Sequence, residues 1–144
     1  MPARAVPEPS GPAPAVLEAN QRFYAAFQSL DIAQMSAVWL HEDWAQCVHP
    51  GWDLLIGWDE IRDTWARIFS NTRRIQIAVS SVRVHVEAEV AWVACTEHIT
   101  SAFENSFDEA LVQATNMFVR REGAWYLVAH HASPLLNAPI PKVQ

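Results

Sequence analysis

Apolar side chains recur every three or four residues through the first half of the chain and every second residue through the rest, the spacings that give a helix and a strand one buried side each. Val16, Asn20, Phe23, Phe27 and Leu30 form one helical stripe over residues 15 to 30, with Asn20 its polar member. Asp31 and Gln34 read as a capping box opening a short second helix that runs to Trp39. Trp44 to His49 alternates loosely, Pro50-Gly51 signals a turn, and Leu54-Leu55-Ile56 reads as a short strand. After Gly57 a third helical stripe follows, Trp58, Ile61, Trp65, Ile68 and Phe69, with Asp59 and Glu60 at its electropositive end.

Beyond residue 72 the period becomes two. Ile75, Ile77 and Val79 alternate, the pattern skips at Ser80-Ser81, and Val82, Val84 and Val86 resume it, which is how a bulged strand reads. Residues 89 to 102, 108 to 121 and 124 to 132 supply three more long strands, the last two joined by a Glu122-Gly123 turn. Helices first and consecutive hairpins after them predict an α+β domain with an antiparallel meander. Strand parity places Tyr126, Val128 and His130 on one face and Trp125, Leu127, Ala129 and His131 on the other. Both faces of the last three strands are then largely apolar. Three helices cover one face, so the expected cover for the other is a second copy of the chain, a homodimer through Trp92, Met117, Trp125 and His131.

With 144 residues the chain suits one domain over residues 15 to 134, flanked by a Pro-rich disordered arm, 1 to 14, and a tail, 135 to 144. Its net charge of -6, with Lys and Arg scattered, excludes a nucleic-acid footprint. Neither a membrane-spanning run nor the apolar core of a secretory signal is found. Cys47 and Cys95 sit in apolar strand patterns without CxxC spacing and read as buried thiols of a cytoplasmic protein. Six histidines raise the question of a metal, yet His130 and His131 point to opposite strand faces and no HxH or HxxxH spacing occurs. No metal and no cofactor is expected. The seven tryptophans suit a core with a wet, concave edge.

The order of elements, the Gly57-Trp58-Asp59-Glu60-Ile61 helix start, the Ser70-Asn71-Thr72 stretch leading to Val84-His85-Val86, and the segment from Arg120 to Ser133 together resemble the nuclear transport factor 2-like superfamily. Within it the chain is most similar to SnoaL-like proteins and to the association domain of calcium/calmodulin-dependent protein kinase II, here as a domain standing alone. The resemblance implies a cystatin-like cone, three N-terminal helices packed on a curved, mostly antiparallel sheet, whose interior holds a ligand or an active site.

Parity places His49, Glu97, Asn116 and His130 on the inner face of such a cone. In the ketosteroid isomerases of the superfamily a carboxylate is the base, and a tyrosine with a protonated aspartate forms the oxyanion hole. The matching positions here are His49, Phe23 and Asn116. The neighbouring Tyr24 is one helical step, about 100°, from the tyrosine position. Where the kinase association domain carries arginines, this chain has Glu97 and Asn116, which disfavours an anionic ligand. Glu97 is expected to pair with His49 or His130 or to meet water. The leading expectation is a small, mostly apolar ligand held by Phe23, Phe27, Trp39, Trp52, Trp65 and Phe118 and oriented by His49, Glu97, Asn116 and His130. Two alternatives stand beside it: a lyase or isomerase, ketosteroid isomerase- or polyketide cyclase-like, using His49 or Glu97 as proton acceptor with Asn116, and a non-catalytic oligomerisation module.

Overall fold

A computed structural model describes residues 11–136 of the chain. The first helix, α1 (Pro12–Ser29), begins three residues earlier than the periodicity indicates. Pro12 and Pro14 occupy its first turn, where a helix has no use for backbone N–H donors. Residues 12–14 of the expected arm are therefore helical; its residues 1–10 lie outside the described residues, as do 137–144 of the expected tail. Leu30 ends α1 in the left-handed region, and Asp31 caps α2 (Ile32–Val38) by accepting the Ala33 N–H at 2.9 Å. Then come β1 (Gln46–Val48), a Pro50-Gly51 turn closed by the Trp52 N–H on the His49 carbonyl at 2.8 Å, and β2 (Leu55–Ile56). Gly51 takes the φ of 83° that this turn requires. Helix α3 (Trp58–Asn71) precedes four long strands, β3 (Arg74–Glu87), β4 (Val90–Ala102), β5 (Phe107–Arg121) and β6 (Ala124–Pro134).

The strands form one sheet in the order β2-β1-β6-β5-β4-β3, antiparallel except where β1 runs parallel to β6. The helices pack on one face of it: α1 lies against β3, β4 and β6, α2 against α1 and α3, and α3 against β1 and β2. The β5–β6 hairpin closes at Glu122-Gly123, both with positive φ, the two-residue turn that matches strand twist. The expected bulge in β3 is present as a register shift between Ser80 and Arg83, with Ser81 at φ 53°.

A second bulge overturns the parity of β6. Phe118 pairs with Leu127 and Met117 with Ala129, so Val128 is an extra, unpaired residue. Trp125 and Leu127 consequently share the inner face with His130 and Ala132, where Trp125 is 6% exposed. The assignment of Trp125 to the outer face is corrected accordingly, since one inserted residue reverses every side chain before it. Trp92, Met117 and His131 do lie on the outer face, where Trp92 and His131 are exposed and Met117 half-buried.

Truncating Trp125 to alanine should lower stability by about 3 kcal/mol, a buried aromatic deletion, and by the same amount at every protein concentration. Equilibrium urea unfolding measures this; a loss that depends on dilution would return Trp125 to an intersubunit contact.

Candidate functional site

The inner sheet face carries Glu97 on β4, Asn116 on β5 and His130 on β6, each at most 2% exposed. Helix α1 lies across them and contributes Asn20 and Tyr24, both buried. The Tyr24 hydroxyl donates to Glu97 Oε2 at 2.5 Å and lies 3.4 Å from the Cys95 thiol. Asn116 Nδ2 donates to Asn20 Oδ1 at 2.8 Å and to the Tyr24 oxygen at 3.1 Å, while Asn116 Oδ1 accepts from His130 Nδ1 at 2.6 Å. Since an amide oxygen only accepts, His130 holds its proton on Nδ1. Five polar residues thus form one chain: His130 to Asn116, Asn116 to Asn20 and Tyr24, and Tyr24 to Glu97. Buried polar residues are tolerated in such a place because each has at least one partner.

His49, at the end of β1, belongs to a separate relay. The Thr64 hydroxyl donates to the Ile61 carbonyl at 2.8 Å and therefore accepts from His49 Nε2 at 2.9 Å, which leaves Nδ1 as the ring's acceptor. Between the relay and the network lie aromatic rings. Phe23 is 4.9 Å from His130 and 6.0 Å from Trp65, and Trp65 meets Phe27 at 4.8 Å and His49 at 4.7 Å between centroids. The interior is filled by these rings. Trp65 is fully buried, and its indole N–H, like that of Trp39, has no partner among the described residues.

An opening of about 430 Å³ lies outside the rings, where α3 ends, β3 begins, and the far ends of β4, β5 and β6 meet the β1–β2 loop. Phe27, Trp52, Ile75, Ile99 and Val112 give it apolar walls, His49 lines it from the inside, and Asn71, Ser101 and Asp108 add polar groups. Of the residues expected to hold a ligand, this mouth brings together Phe27, His49 and Trp52. Phe23, Trp65 and His130 stand behind it as filling, and Glu97 and Asn116 belong to the network. Phe118 is buried in the core and Trp39 packs on Trp58 at 5.7 Å, away from the mouth.

Glu97 pairs with neither histidine, contrary to expectation. Its partner is Tyr24, because the long phenol reaches sideways over β4 even though its Cα is one helical step from the Phe23 position. Both flanks of the α1 stripe are covered, so Ala19, Asn20, Phe23, Tyr24, Ala26 and Phe27 are all buried. Asn20 is the one signal in the sequence that an acceptor network lay below this helix. Thr64 has no such signal: a threonine on an amphipathic helix is ordinary.

Burial pushes the Glu97 carboxyl up to about 7 while the Tyr24 hydrogen bond pulls it down. Burial, with the Glu97 charge, holds the Tyr24 phenol well above the ordinary tyrosine range, so it remains a donor. Burial lowers His49 to about 4, and burial with the His49 and His131 charges lowers His130 to about 3. Both imidazoles are therefore neutral near pH 7. An imidazole held down contributes stability that is complete above its unfolded value of 6.5 and lost as the pH falls toward its folded value. A carboxyl held up contributes stability complete below its unfolded 4.5 and lost as the pH rises through 7.

Between pH 4.5 and 6.5 two histidines oppose one carboxyl. These groups should lower stability on acidification by roughly one proton, about 1.4 kcal/mol per pH unit. In Glu97→Gln the opposing contribution is absent and the slope should steepen toward two protons, read from urea midpoints across that range. Equal slopes in the two proteins would contradict a raised carboxyl at Glu97.

The chain resembles proteins of known structure across almost its whole described length. A candidate dehydratase of the NTF2-like family from Streptomyces avermitilis is 35% identical, with a TM-score of 0.82 over 86% of this chain and 97% of that one. A candidate calcium/calmodulin-dependent protein kinase type II association domain from Thiobacillus denitrificans is 32% identical, with a TM-score of 0.72 over 81% of this chain and 92% of the other. F-box protein SKIP8 of Arabidopsis thaliana is 25% identical over 122 residues, 85% of this chain and 50% of that protein, so the chain spans half the length of that relative. No helix among the described residues is long and apolar enough to cross a membrane. The family model for the SnoaL-like domain matches residues 16–137, which take in every helix and strand described above except the first turn of α1, and the chain belongs to that family within the nuclear transport factor 2-like fold.

Proposed function

We propose that the domain binds a small, mostly apolar molecule at the mouth of its helix–sheet interior. The observation that carries this reading is the mouth itself: about 430 Å³ bounded by aromatic and branched aliphatic side chains around one buried, neutral imidazole, the composition of a ligand pocket with few orienting polar groups. His49 Nδ1 suits a ligand hydroxyl or enol that donates a hydrogen bond, and Trp52 offers a ring face beside it, 4.8 Å from His49. In this reading His49 and the rim residues Asn71 and Asp108 orient the ligand, since they line the mouth whereas Glu97 and Asn116 do not.

Quenching of tryptophan fluorescence by 2-naphthol, a flat apolar body with one hydroxyl, tests this. Binding should weaken about tenfold in Trp52→Ala and in His49→Phe, the loss of one contact each worth about 1.4 kcal/mol. Equal affinity in wild type and both variants would overturn the reading.

A second reading is proton transfer of the lyase or isomerase kind. It is favoured by Glu97, whose carboxyl titrates near neutrality beside a tyrosine donor, the poise that general acid–base work needs, and by the likeness to a candidate dehydratase. Under it, Glu97→Gln abolishes turnover of an enolisable or dehydratable substrate and Tyr24→Phe reduces it; turnover by both variants at the wild-type rate would exclude it.

The domain is further proposed to work in the cytoplasm as a homodimer through the outer sheet face. Support comes from Trp92 and Leu111, which are exposed there, and from a concave patch including Met117, Ala129 and His131. Sedimentation equilibrium at micromolar concentration should show a dimer that Trp92→Asp dissociates.

A further inference from the structure

A second opening among the described residues shares no lining residue with the mouth. It is a cleft of about 370 Å³ between α1 and β3. Gln28 Oε1 ties α1 to the Ile77 N–H at 2.6 Å at one end of it, and past the register shift after Ser80 the 43% exposed Val82 lines the other. Leu17, Ile77 and Val79 wall the cleft, and Asn20 and Tyr24 are the members of the buried network that line it. Glu97, Asn116 and His130 line neither opening, so Asn20 and Tyr24 are where the network comes closest to solvent.

The hydrogen-bond inventory states what an occupant must offer. Tyr24 already donates to Glu97 and accepts from Asn116, and Asn20 Oδ1 already accepts from Asn116. Asn20 Nδ2 meets only the Cys95 thiol, a weak acceptor, and keeps an N–H donor for an occupant of the cleft. Gln28 spends its oxygen on Ile77 and keeps its own N–H donors. Donors are therefore in surplus and acceptors are used. Lys, Arg, Asp and Glu are absent from the lining. A polar asparagine 3% exposed on the core stripe of α1 is costly unless its donors are satisfied.

We infer that the α1–β3 cleft is a second ligand site, distinct from the mouth, that takes a neutral, apolar carbonyl compound with its oxygen on Asn20 Nδ2. A carboxylate analogue is disfavoured, because its charge would be desolvated near Glu97 with no cation to meet it.

Amide and methyl NMR titration of the full chain with 2-acetylnaphthalene tests this independently of the mouth, since the two sites report through different residues. Shifts are expected at Gln21, Ala25, Gln28 and Val79. Ala25→Phe, which fills the cleft from the exposed side of α1, should weaken those shifts at least tenfold, as should Asn20→Leu; Trp52→Ala should leave them unchanged. Replacing the ketone by 2-ethylnaphthalene or by 2-naphthoate should weaken binding at the cleft by a similar factor. Shifts confined to mouth residues such as Trp52, Ile99 and Ala110, the absence of saturable shifts, or cleft binding indifferent to Ala25→Phe or to loss of the carbonyl would each overturn the inference. Loss of mouth binding alone would overturn the reading above and leave the cleft standing.

Discussion

Placing the carboxyl of Glu97 on the inner face of the sheet is the constraint around which the rest is arranged. A carboxyl removed from water must find a donor or stay protonated, and here it does both: Tyr24 donates to it, and burial pushes its titration to about 7. The donor comes from a helix, so α1 has to lie across β4 and β5 at the height where Tyr24 reaches Glu97 and Asn20 reaches Asn116. That crossing brings Phe23 and Phe27 over Trp65, and the aromatic filling of the interior follows.

The two bulges decide what the sheet does with its faces. At Val128 the extra residue brings Trp125 and Leu127 inside with His130. Without it, Trp125 would sit beside His131 in water or against a partner. In β3 the shift sets Ser81 and Val82 against Cys95 alone, and Val82 lines the cleft with Asn20 and Tyr24. Bulges are the means by which a sheet re-aims side chains at its working edges.

A filled interior changes the meaning of the fold for function. In a cone with an empty centre, His49, Glu97, Asn116 and His130 would converge on one ligand. Here they divide: His49 lines the mouth and bonds Thr64, and the other three join Asn20 and Tyr24 in a network from which no member lines the mouth. Both imidazoles are neutral near pH 7, and burial holds the Glu97 carboxyl well above the usual carboxylate range.

Most of the fold was legible because hydrophobic period is a local property: helices appear at 3.6, strands at 2, and turns wherever Pro-Gly or Glu-Gly interrupts them. The Asp31 cap, the Ser80–Ser81 bulge and the inward set of Glu97, Asn116 and His130 all come from that pattern. The Val128 bulge did not, since an apolar residue inserted into an apolar strand leaves no mark on the alternation. Nor did the Tyr24–Glu97 pair, which joins residues 73 positions apart and depends on the angle at which one helix crosses the sheet. The amino-acid sequence by itself determined the elements and the apolar stripe that each one turns to the core, because both follow from local periodicity. Which buried polar groups meet, and which opening each one faces, only the tertiary structure decided, because those contacts are set by helix placement and strand register.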